Sequence, residues 1–208
     1  MTSPRNDAAD IAWMKTLAEE GAKSPPHGGS ILFAAGLIFG MASLAHWTVI
    51  TGLIDVGPAA YGIVWGAAAL AFVGALVVLI RRLQAQGGVE TAANRAFGIV
   101  WAALGWGMFS LFTSLALLKI GQVGDLQPAQ WSLAVPSIIL AFYGVGWAVS
   151  ASMLRQRMLW ILSIATFAGA PALAVLSGSE HQYLAYAAAL FLLMAMPGYL
   201  LMRAAKRG

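Results

Sequence analysis

The chain has no cysteine. That excludes disulfides, thiolate metal sites and thiol redox chemistry. Charge is nearly as scarce: 10% of the 208 residues are Asp, Glu, Lys or Arg, against about 25% in an ordinary soluble domain. Acids and bases are missing altogether from the interiors of the apolar runs, where a coupling ion or a gating charge would have to sit. No clustered His, Asp, Glu and Ser set recurs at one depth, so no catalytic, cofactor or metal motif stands out, and the expectation is a chain that is not an enzyme and carries no cofactor. His46 and His181 with Asp55, Asp125 and Glu180 do not form a metal-ligand spacing such as H-x-x-x-H. The sequence pI is about 9.7, but the basic residues stand singly or in pairs and form no stripe or reader motif, which argues against nucleic acid. The first 29 residues lack the apolar core of a signal peptide.

What fills the chain is hydrocarbon. Hydrophobic residues make up 60% of it and the mean hydropathy is +0.78. The apolar residues fall into six runs: Ser30–Ile54, Pro58–Ile80, Ala96–Ile120, Trp131–Met153, Met158–Ser177 and Tyr183–Met202. Each is near the roughly 20 residues that cross about 30 Å of hydrocarbon at about 1.5 Å per residue. The expected fold is all-α: a polytopic membrane protein of six transmembrane helices arranged as three hairpins, preceded by an N-terminal amphipathic helix. Residues 1–29 form the headpiece and linker, 30–203 the membrane domain and 204–208 a short tail.

Of the 12 Lys and Arg residues, all but Lys119 fall on one side of this pattern. Arg5, Lys15 and Lys23 precede the first run. Arg81, Arg82 and Arg95 lie between the second and third, Arg155 and Arg157 between the fourth and fifth, and Arg203, Lys206 and Arg207 follow the sixth. The positive-inside rule then places both termini in the cytoplasm, and the short loops resemble those of bacterial inner-membrane proteins.

The first two pairs of runs read as an internal repeat. Gly40-Met41-Ala42-Ser43-Leu44 matches Gly107-Met108-Phe109-Ser110-Leu111, and Val56-Gly57 matches Val123-Gly124 at the same offset. After the insertion Asp125–Gln127, Pro58-Ala59 matches Pro128-Ala129, and Leu70-Ala71-Phe72 with Gly74 matches Leu140-Ala141-Phe142 with Gly144. A shift of two spans keeps orientation, so the repeat is parallel, about an axis near the membrane normal.

Two candidate sites follow. The first is polar and intramembrane: Ser43 and His46, with their counterparts Ser110 and Thr113, would line a central axis if the repeat closes around one. The plainer reading is interhelical hydrogen bonding, with His46 neutral beside Trp47. The second is the headpiece. Asp7 can cap a helix running to about Glu20, which Gly21 stops. Ile11, Trp13, Met14 and Leu17 share one face of it. Its bases, Arg5, Lys15 and Lys23, are outnumbered by Asp7, Asp10, Glu19 and Glu20. An anionic lipid surface would not attract such a helix, whereas a protein groove suits it, either on the bundle's own cytoplasmic face or on a cytosolic partner. Gly36-x-x-x-Gly40 and Gly62-x-x-x-Gly66 permit close helix contact, within the bundle or in a homodimer. The tryptophans are expected to mark the two interfaces of the bilayer as an aromatic belt.

The expected partners are therefore the lipid bilayer and a cytosolic protein held by the headpiece. The reading that fits most features is a non-enzymatic membrane regulator or scaffold. The alternative is a small transporter or channel with a weakly polar pathway along the repeat axis.

Overall fold

A computed structural model describes residues 10–14, 28–85, 92–120 and 128–205, the side chains of 92–93, 118–120 and 128–132 excepted. Residues 1–9 with the Asp7 cap, the headpiece beyond residue 14, the linker to residue 27, the loop at 86–91 with its Gln86-Gly87-Gly88, residues 121–127 and the end of the tail lie outside the described residues. Among those described, every regular element is helical and there is no strand. Six helices are long and apolar enough to cross a membrane. They are α1 (Gly29–Ile50), α2 (Ala59–Ala85), α3 (Ala92–Ile120), α4 (Pro128–Leu154), α5 (Arg157–Val175) and α6 (Gln182–Ala205).

Local chemistry accounts for the ends. Helix α1 stops at Ile50, one turn before its apolar run does. Gly52 takes φ +71°, a left-handed conformation that glycine adopts without penalty, and the N–H groups of Thr51, Gly52 and Ile54 turn back onto Trp47, Val49 and Thr48. Helix α2 instead runs past its apolar run through Arg81 and Arg82, guanidinium groups that suit the negative end of the helix dipole. Between α4 and α5 the chain reverses over Arg155 and Gln156, with Arg155 left-handed at φ +51°.

Proline shapes two helices differently. Helix α4 continues through Pro136. Helix α6 widens into a π segment at Phe191–Ala195 just before Pro197. Pro197 has no N–H to give the carbonyl four residues back, and its ring crowds that carbonyl. The indole of Trp147 on α4 donates to this same Leu193 carbonyl at 3.1 Å. Trp147 is fully buried, so it is a core wedge and not part of an interfacial belt.

The lateral arrangement has two groups of three. Helix α1 packs against α2 and α6, while α4 packs against α3 and, most extensively, α5; α6 and α5 touch more lightly. The closest approach is between α1 and α6. A side chain at Gly36 would strike the backbone of Ala195, one at Gly198 would strike the backbone of Phe33, and one at Gly40 would meet the Phe191 ring. Small residues let the two backbones close in this way. Between the groups lie Leu140, Trp147, Leu159, Leu190 and Met194, all essentially without solvent exposure. Polar side chains tie the helices together. Ser43 on α1 donates to the Tyr183 carbonyl on α6 at 2.7 Å, Ser163 on α5 to Gly144 on α4 at 3.0 Å, and Gln182 on α6 to Leu133 on α4 at 2.6 Å. Hydrocarbon supplies no substitute partner for such groups.

Helices α2 and α3 stand at the margins. Ala68 is the one buried residue of α2, and among its described residues α3 buries only Asn94 and Phe97 near its start. This unevenness runs against the order of the sequence repeat. Matched runs have unmatched surroundings: α1 is central and α3 marginal, α2 marginal and α4 central.

Candidate functional site

The densest polar and aromatic cluster surrounds His46, at the end of α1 away from the arginines. Four residues of helix remain beyond it, so its ring reaches the level where α2 begins and α6 begins. Trp65 on α2 donates its indole N–H to His46 Nδ1 at 2.9 Å. The Tyr183 ring on α6 stacks on the imidazole, centroids 3.6 Å apart and planes 17° from parallel. Tyr61 on α2 lies 4.5 Å away at 35°. Ser43, one turn below His46, is fully buried and bonds the Tyr183 backbone. Three helices therefore meet on one imidazole.

The turn at 51–58 explains the pairing. His46 stands four residues before the end of α1 and Trp65 six residues after the start of α2, so an antiparallel pair joined there brings them to nearby depths. Tyr183 comes from the opposite end of the sequence and reaches the cluster through the tight packing of α1 on α6. Sequence reasoning placed Ser43 and His46 together and missed Tyr61, Trp65 and Tyr183 as their partners. The turn register was the signal that pointed to Trp65.

Ser110 and Thr113 are elsewhere. Both are exposed on α3, and the Thr113 hydroxyl donates to Phe109 of its own helix at 2.8 Å. The neighbouring Ser114 does the same with Ser110 at 2.8 Å. Hydroxyls folded back in this way suit a lipid-facing surface. The four polar residues do not line one axis.

The headpiece is described only over residues 10–14, which are helical and exposed. Ile11, Trp13 and Met14 present 62%, 66% and 57% of their surface; Leu17 lies outside the described residues. Of the two glycine pairs, Gly36 and Gly40 are consumed by α6, whereas Gly62 and Gly66 face open space. His181 and Glu180 form an exposed contact at 3.8 Å. Among the described residues no group of three or more His, Asp or Glu comes together as a metal site. No protein-family model matches the chain, and no curated protein or solved structure is detectably similar to it.

Proposed function

We propose that the chain is a non-enzymatic regulator or scaffold of the bacterial inner membrane, with both termini in the cytoplasm, that holds a cytosolic protein through its N-terminal amphipathic helix. One observation carries the reading: Ile11, Trp13 and Met14 stand exposed together on a helical stretch outside the apolar spans. Large apolar side chains of this kind gain about 1.5–3 kcal/mol each on burial. Three of them supply about 5–9 kcal/mol gross, which after the cost of association gives a reversible grip rather than a permanent one. The acids around them disfavour an anionic lipid surface as the receiver and favour a protein groove with basic edges.

The transport reading has less beneath it. Its pathway needs Ser43, His46, Ser110 and Thr113 on one axis, and the last two stand on the outer side of α3.

Affinity capture of the full chain from native membranes tests the proposal, side by side with a chain lacking residues 1–23. The shortened chain is expected to insert normally and to lose a cytosolic protein that the full chain retains. Recovery of the same proteins by both would overturn the reading.

A further inference from the structure

The His46 cluster does something the headpiece reading does not require. An indole N–H can only donate. Its bond to His46 Nδ1 at 2.9 Å therefore requires a lone pair on that nitrogen, which puts the ring hydrogen on Nε2 and leaves the imidazole neutral. An imidazolium carries hydrogen on both nitrogens, so protonation of Nδ1 and the Trp65 bond exclude each other.

The consequence falls on α2. Among the described residues that helix packs closely on α1, with a lighter touch on α6 where the Trp65 and Tyr183 rings meet. On α1, Ala68 is seated, Phe72 lies against Phe39 with centroids 5.3 Å apart, and Tyr61 and Trp65 close on His46. The half of α2 nearest the 51–58 turn is held by Tyr61 and Trp65, through the imidazole and through the Tyr183 ring, whose centroid lies 6.3 Å from that of Trp65. The titratable groups facing the ring are the phenols of Tyr61 on α2 and Tyr183 on α6. The charged groups nearest this end are Asp55 in the turn and the exposed Glu180–His181 pair before α6. None of the described carboxylates bonds the ring, so nothing beside it compensates a positive charge.

We infer that His46 is an acid-operated latch: the neutral ring clamps α2 to the α1–α6 pair, and proton uptake at Nδ1 lets that half of α2 swing away. Helix α1 and α6 stay together on release, because Gly36 against Ala195 and Gly198 against Phe33 do not involve the ring.

The absence of cysteine makes the test direct. Ala59→Cys on α2 and Val175→Cys at the end of α5, both exposed positions, carry spin labels on the full chain in lipid nanodiscs. Pulsed paramagnetic resonance then reads their distance at about pH 8 and about pH 4, on either side of the ordinary histidine value of about 6.5. With the latch intact, a narrow distribution is expected at the higher pH and a longer, broader population at the lower. Trp65→Phe should show the broad population at both. His46→Gln should stay narrow at both, since its amide oxygen accepts the indole N–H and does not take up a proton. An unchanged distribution in the latch-intact protein would overturn the inference. So would a His46→Gln chain that shifts with acid as the native residue does, or a Trp65→Phe chain that stays narrow.

Discussion

Gly36→Ala adds a single methyl group where α1 touches α6. A Cβ built there lies 2.8 Å from Ala195 Cα, 2.9 Å from Ala195 Cβ and closer still to the Ala195 nitrogen. Carbon atoms rest about 3.5–4.0 Å apart, so the helices must separate by about 1 Å. The obstacle is backbone and no rotamer change relieves it. Separation also pulls on the Ser43 bond to Tyr183, which sits two turns along the same seam. Overpacking of this kind costs about 1–3 kcal/mol, while replacing a helical glycine by alanine returns about 0.5–1 kcal/mol. The expected result is a net loss of about 0.5–2 kcal/mol. Gly62→Ala is the matched control. A Cβ there meets nothing within 4 Å, so only the helix-propensity gain remains and the protein should become more stable by about 0.5–1 kcal/mol. Reversible unfolding in mixed micelles, followed by circular dichroism, measures both. A Gly36→Ala chain as stable as the native one would refute the close-approach reasoning. Equal losses from both substitutions would do so too, since they would place Gly62 in contact as tight as that of Gly36.

Other substitutions probe single bonds. Trp147→Phe leaves the Leu193 carbonyl, already deprived of a donor by Pro197, without its indole partner; a loss of about 1–3 kcal/mol is expected in the same unfolding assay. Thr113→Val removes a hydroxyl that bonds only to its own helix on an exposed face, and stability should stay within about 0.5 kcal/mol. Ser43→Ala removes a bond between two helices and should cost about 0.6 kcal/mol, up to about 1.7 kcal/mol, the range measured for such bonds in membranes.

The spans were readable because hydropathy is a local property: twenty apolar residues must find hydrocarbon whatever their neighbours do. Their ends were less so. Leu53 and Ile54 extend the apolar run, yet a left-handed Gly52 ends the helix before them. The lateral order was not readable, for a physical reason. In water a helix advertises its buried side by polar residues on the other, but in lipid both sides are apolar. Nothing in Ile63 or Ile99 says that it faces outward while Leu140 faces in. The same blindness separates Ser110 from Ser43: the short motif is shared, the environment is not. His46 is the polar residue that the sequence singles out, but Tyr183, 137 positions later in number, belongs to it only through the α1–α6 seam.

That seam also sets a timetable. Gly36 leaves the ribosome long before Ala195, and at about 5–20 residues per second the interval is roughly 10–30 s. Throughout it, the glycine face of α1 has no α6 to receive it and must be held by lipid, by α2 or by an insertion factor. The bundle therefore cannot mature span by span. The α1–α2 pair waits for the sixth helix, which completes its group and ties it to α4 through Trp147 and Gln182, and a nascent chain stalled in α5 would leave the glycine face of α1 unfilled.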